Sequence, residues 1–78
     1  MNEDVFALVR ELESEMVVYV EEDYPDVVLT FPSGSSVVIY NDGDWADLLD
    51  SFGRVSDFED ETADVFDAVR RWARWASV

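Results

Sequence analysis

The sequence contains no cysteine, no histidine and no lysine. Without cysteine the chain has no disulfide, no thiolate nucleophile and no zinc–thiolate site. Without histidine it lacks the commonest general base and the commonest transition-metal ligand. These absences predict a protein that is not an enzyme and that has no catalytic residues, no metal site and no cofactor.

Basic residues and long apolar runs are also scarce. The five basic residues are all arginine, against 19 acidic residues, so the net charge is −14. Such a chain offers no basic surface to nucleic acid, and an anionic membrane would repel it. No apolar run approaches the roughly 20 residues that span a bilayer, and the acidic start MNED is unlike a secretory signal. We therefore expect a cytoplasmic protein that binds neither nucleic acid directly nor a membrane.

What the sequence does contain is enough apolar material for a core. Apolar residues make up 49% of the chain, including three tryptophans, three tyrosines and five phenylalanines, which argues against disorder. Seventy-eight residues leave no room for a second core. We expect residues 1–78 to form a single small acidic domain.

The acid-rich, lysine-free and valine-rich composition resembles that of proteins from halophilic archaea. The resemblance implies that carboxylates keep the protein hydrated in concentrated salt. At about 1 M salt the Debye length is near 3 Å, so most of the repulsion between like charges is screened. The resemblance covers the whole chain but assigns no functional residue.

The N-terminal half predicts one helix and three strands. Asn2 can cap a helix over 3–14, because apolar residues recur there at helical spacing. Pro25 excludes a helix after the first β-branched run, and Gly34 can adopt a positive φ in the turn between the next two. The predicted strands cover residues 16–21, 27–31 and 36–40.

Two further helices are predicted in the C-terminal half. Asp44 can cap a helix over 45–52, and Gly53 suits its end. Ser56 and Glu59 have the spacing of a capping box before a helix over 57–76.

The predicted fold class is α+β, with a three-stranded antiparallel meander, helices packed on one face and the order α-β-β-β-α-α. The order α-β-β-β-α also occurs in double-stranded RNA-binding domains. Those domains grip phosphates with lysine and arginine clusters, which this chain does not have. The shared order therefore carries no function here.

The stretch SDFEDETADVFD, residues 56–67, is the densest cluster of carboxylates. At about 100° per residue its apolar residues gather on one side of the predicted helix and its acids on the other. Asp67 has the spacing to pair with Arg70 and with Arg71. The predicted acidic face consists of Asp57, Asp60, Glu61, Asp64 and Asp67.

Trp75 lies off the predicted apolar stripe of this last helix. It either packs the helix end against the first helix or the sheet, or it is an exposed anchor for a partner. Tryptophan and arginine dominate interface hot spots, and RRWARW supplies both. The residues predicted to bind a partner are Arg71, Arg74 and Trp75.

Two other clusters predict no site. Asp42, Asp44, Asp47 and Asp50 resemble oxygen ligands for a hard cation, but their spacing does not match a calcium-binding loop. The serines of the turn near Gly34 have no histidine or lysine to activate them.

The leading functional hypothesis is a salt-adapted protein-binding or regulatory module without catalytic activity. Its partner is a protein, and a second copy of the chain or an open sheet edge are candidates for the interaction. The alternative is an inhibitor that mimics nucleic acid, as some viral inhibitors of CRISPR or restriction systems do. Carboxylates along a helix face are spaced about 5 Å apart, comparable to phosphates along one DNA strand.

Overall fold

The computed structural model of the chain describes residues 2–40, 43–56 and 64–77. Over these residues the fold is α+β, with a five-stranded antiparallel sheet and two helices. Each strand pairs with the next one along the chain, so the sheet is a meander. The elements are α1 (Glu3–Glu15), β1 (Tyr19–Asp23), β2 (Asp26–Thr30), β3 (Ser36–Tyr40), β4 (Trp45–Leu49), β5 (Val55–Ser56) and α2 (Val65–Ala76).

Local sequence signals determine both ends of α1. The Asn2 side chain accepts a hydrogen bond from the Asp4 amide at 2.7 Å, which confirms the predicted cap. Met16 follows the last helical residue with extended backbone, as predicted. The apolar stripe of α1 is buried and consists of Val5, Leu8, Val9 and Leu12.

The core lies between one face of the sheet and the two helices. Alternate residues of the central strands point into it, as the period of two in a strand requires. The helix α2 contributes Val69 together with small residues, Ala73 and Ala76, which let its backbone approach the sheet closely. The buried sheet residues are Val27, Leu29, Val37, Ile39, Ala46 and Leu48, with Phe31 just after β2.

The predicted helix over 45–52 is wrong, because residues 45–49 form β4. Gly43 has φ +89° and its amide donates to the Tyr40 carbonyl at 3.0 Å, which closes the turn between β3 and β4. The turn between β4 and β5 follows, in which the Gly53 amide donates to the Asp50 carbonyl at 3.0 Å. The predicted three-stranded sheet therefore gains β4 and β5.

The predicted helix over 57–76 is also wrong as a single element. The helix α2 begins at Val65, and Asp64 before it has extended backbone with φ −66° and ψ 119°. Ser56 is predicted to open a capping box, but it lies in β5 instead, where it pairs with Leu48 of β4. Residues 57–63 lie outside the described residues.

The three strands predicted from the sequence are all observed, with bounds that differ to different degrees. The range predicted for β3 is the one observed, and β2 is displaced by one residue. The strand β1 covers 19–23 rather than 16–21, since its register pairs Tyr19 with Thr30 and Asp23 with Asp26. In the part of the chain that the structure describes, neither helix is long and apolar enough to cross a membrane.

Candidate functional site

Trp75 is an exposed aromatic side chain near the C-terminal end of α2. It is 59% exposed, so it is not buried against α1 or the sheet. Its ring contacts that of Trp72, with 4.6 Å between the centroids and 41° between the planes. Trp72 is half-buried, and its indole Nε1 donates to the Leu49 carbonyl at 3.3 Å. One tryptophan is thus anchored to the sheet and supports the other.

The two arginines predicted to bind a partner differ in their surroundings. Arg74 donates from Nε and Nη2 to the two carboxylate oxygens of Glu15, at 3.3 and 3.2 Å. Arg71 is exposed and makes neither an ion pair nor a hydrogen bond with the described residues. Because Arg71 and Trp75 are four residues apart on α2, their side chains are neighbours on one face. We name Arg71, Trp72 and Trp75 the tryptophan surface.

A shallow, open depression borders Trp75 on the sheet side. Its lining is Trp75 and Ala76 of α2 with Ser33, Ser35 and Ser51 from two turns of the sheet. Neither an acid nor an amine is among these lining residues, so the depression offers apolar contact and hydroxyl groups rather than acid–base chemistry.

The described part of the predicted acidic face has a structural role. Asp64 caps α2, accepting hydrogen bonds from the amides of Phe66 at 2.9 Å and Asp67 at 3.4 Å. Asp67 accepts from Arg70 Nη1 at 2.7 Å, as predicted, but the predicted pair with Arg71 does not form. The other members, Asp57, Asp60 and Glu61, lie outside the described residues. Nucleic-acid mimicry by this face stays a prediction.

Two of the aspartates that resemble cation ligands in the sequence, Asp47 and Asp50, lie in different elements of the fold. Asp47 lies on β4 and accepts a hydrogen bond from the Tyr40 hydroxyl at 2.5 Å, which raises the pKa of Tyr40. Asp50 lies in the turn between β4 and β5, where hydrogen bonds from the backbone amides of Arg54 and Phe52 lower the pKa of its carboxyl group despite some desolvation. Asp42 lies outside the described residues. Within the described ranges no three acidic side chains are grouped to hold a metal ion.

Sequence reasoning missed a second surface, the face of the sheet opposite the helices. Residues that alternate with the buried ones point to this face, which we name the open face. A sheet covered on one side normally has polar residues on the other. Here β2 and β3 carry Val28 and Val38 there, a signal visible in the valine pairs of DVVLT and SVVIY. The main outward residues are Tyr19, Glu21, Asp23, Asp26, Val28, Val38, Tyr40, Trp45, Asp47 and Leu49.

Comparison of the chain with protein-family models, with curated proteins and with solved structures finds no match. The functional argument therefore depends on the surfaces described above.

Proposed function

We propose that this chain is a small protein-binding module without catalytic activity, and that its tryptophan surface contacts the partner. The observation that carries the proposal is the 59% exposure of Trp75 on top of an anchored Trp72. Large exposed aromatic side chains beside arginine are typical of interface hot spots. Because Trp72 holds the Trp75 ring in place, little side-chain entropy is lost when a partner covers it.

The charges around the tryptophan surface favour a partner with a hydrogen-bond acceptor or a carboxylate at its contact. Arg71 is the arginine of α2 without a carboxylate partner among the described residues, whereas Arg70 and Arg74 are paired with acids of α1. A carboxylate from the partner would gain a charge-assisted hydrogen bond from Arg71 without breaking any pair that Arg71 makes among the described residues.

Affinity capture with matched variants tests the proposal. The chain is used as bait against an extract of its source, in parallel with Trp75→Ala and with Phe52→Ala. Phe52 is a suitable control because it is also a large aromatic side chain, 80% exposed, but it lies in the turn between β4 and β5, next to Ser51, rather than on α2. We expect a specific protein that the wild type and Phe52→Ala retain and that Trp75→Ala loses.

Two results would contradict this use of the tryptophan surface. One is the same set of captured proteins for all three baits. The other is capture of nucleic-acid-binding proteins that Trp75→Ala does not change. If replacing Asp64 and Asp67 by asparagine abolished that capture, the result would support mimicry instead. Urea unfolding of each bait shows that the variants are folded.

We further propose that the module works in a salt-adapted cytoplasm. The support for this is the net charge of −14 together with the absence of lysine. Measuring the free energy of unfolding as a function of salt concentration tests this proposal.

A further inference from the structure

The centre of the open face is apolar. In the register of the sheet, Val28 of β2 lies opposite Val38 of β3. Leu49 of β4 is also half-buried on this side, next to Ser36 of β3. Neither helix covers these side chains, because both pack on the other face.

Aromatic side chains border this apolar centre. Tyr40 is held across the face by its 2.5 Å hydrogen bond to Asp47 on the neighbouring strand. Trp45, opposite Tyr40 in the register, is 44% exposed, and Tyr19 on the edge strand is 62% exposed. The face therefore presents a flat apolar and aromatic surface with at least one ring fixed in position.

Carboxylates lie on three sides of the valine pair. One row of the sheet reads Glu21, Val28, Val38 and Asp47, so that an acid lies at each end. Asp23 and Asp26 form a cross-strand pair in a neighbouring row. The outward positions of the described strands carry no arginine. The apolar centre thus has an acidic border.

We propose that the open face is a second binding surface, and that its occupant is a basic protein segment carrying arginine or lysine among apolar side chains. Apolar residues of the segment would cover Val28 and Val38, while its cations would meet Glu21 and Asp23. This goes beyond the proposed function, because it involves the other side of the molecule and a partner of different charge.

A second copy of this chain fits the open face poorly. In a symmetric dimer the acidic border of one copy would meet that of the other, and like charges in contact are unfavourable. The face measures roughly 20 Å by 17 Å from strand spacing and rise, or on the order of 350 Å². A stable interface usually buries about 800 Å² per partner, so this footprint suits a short segment better than a dimer.

The probe for the test is a short synthetic peptide in which arginine is interspersed among valine and threonine. A matched peptide has glutamate in place of each arginine. Binding is measured by titration at physiological ionic strength, with backbone amide shifts in NMR spectra reporting the contact surface. We expect the basic peptide to bind and to shift the amides of β2 and β3, and the acidic peptide not to bind.

Adjacent glutamates on β1 provide the matched variants. Glu21 lies on the open face with Val28, whereas Glu22 lies opposite Val27 and points to the other side; both are exposed. We expect Glu21→Gln to weaken binding of the basic peptide about twofold to fivefold, as for a single surface ion pair. Glu22→Gln, with the same change in net charge, should change it less.

Val38→Thr tests the apolar contact, because threonine keeps the branched shape that suits a strand. Losing one methyl contact should weaken binding about fourfold. Trp75→Ala should leave binding of the basic peptide unchanged, so that failure of this proposal and failure of the proposed function are told apart.

Two outcomes would overturn the proposal. One is that Glu21→Gln and Glu22→Gln weaken binding of the basic peptide equally, while Val38→Thr does not weaken it. That result would mean that the peptide is attracted diffusely to an acidic protein. The other is a dimer in sedimentation that Val38→Thr dissociates, which would make a second copy the occupant. The glutamate pair keeps the test decisive if Val38→Thr does not fold.

Discussion

Arg70 of α2 donates from Nε to Oε2 of Glu11 in α1 at 2.7 Å, across 59 positions of sequence. The same guanidinium donates from Nη1 to Asp67 at 2.7 Å. Hydrogen bonding to Glu11, and then to Asp67, raises the pKa of Arg70 above its ordinary value. One arginine therefore joins the two helices that cover the sheet.

Replacing Arg70 by glutamine should destabilise the fold modestly. The Arg70 side chain is 28% exposed, so we expect a loss of about 0.5–1 kcal/mol in the free energy of unfolding at low salt. Arg71→Gln is the control, since it removes the same charge from a side chain with no ion pair among the described residues. Urea unfolding compares the two. Equal losses would show that the ion pairs of Arg70 with Glu11 and Asp67 add nothing to stability.

Salt should stabilise this protein. Nineteen acids against five arginines repel one another, and added salt screens that repulsion. The free energy of unfolding should therefore rise between about 50 mM and about 2 M NaCl. Choline chloride at moderate concentration is the control, because screening does not depend on the cation. Equal stability at both salt concentrations would remove the main support for salt adaptation.

Asp64→Ala should weaken the start of α2. Two amides, those of Phe66 and Asp67, would lose their acceptor, at a cost of about 1 kcal/mol in the free energy of unfolding. Asp64→Asn keeps an acceptor oxygen and should cost much less. Chemical denaturation followed by far-UV circular dichroism measures both. If alanine and asparagine behave alike, the cap does not stabilise α2.

Gly43 should tolerate alanine less well than Gly53 does. Both have positive φ, +89° and +80°, which costs alanine about 1–2 kcal/mol. At Gly43 a Cβ would also lie 2.6 Å from Cε1 of Phe66 and 3.1 Å from Cγ2 of Val5, whereas Gly53 has no heavy atom within 4 Å of that position. We expect thermal unfolding to show the larger loss for Gly43→Ala. A larger loss for Gly53→Ala would contradict the close packing of Gly43 against Phe66.

Tyr40 should titrate above its ordinary pKa of 10.0. The hydrogen bond to Asp47 is the main cause, and desolvation and the charges of Asp47 and Asp26 add to it. Because the folded pKa is raised, the stabilisation is present below about pH 10 and is lost as the pH rises through the folded pKa. The difference between ultraviolet titrations of the wild type and Tyr40→Phe isolates this group. Asp47→Asn should bring the midpoint back toward 10.0, and a midpoint at or below 10.0 in the wild type would contradict the contact.

The tryptophan surface could be predicted in part from the sequence. The position of Trp75 off the apolar stripe allowed either packing of the helix end or exposure, and the structure shows that the side chain is exposed. Its support by Trp72 could not be predicted, since it depends on where the carbonyl of Leu49 lies in β4. The open face was missed because its residues come from separate strands whose register is set by pairing.

The sequence by itself determined α1, because the Asn2 cap and the apolar spacing are local signals that need no partner segment. It also determined β3, whose β-branched run is bounded by turns. Only the tertiary structure decided the secondary structure of WADLL. The spacing of Trp45, Leu48 and Leu49 suits a helix, whereas the alternation along the segment suits a strand. Pairing with β3 buries Ala46 and Leu48 together and satisfies the backbone of both strands, and that long-range gain outweighs the weak local preference of five residues.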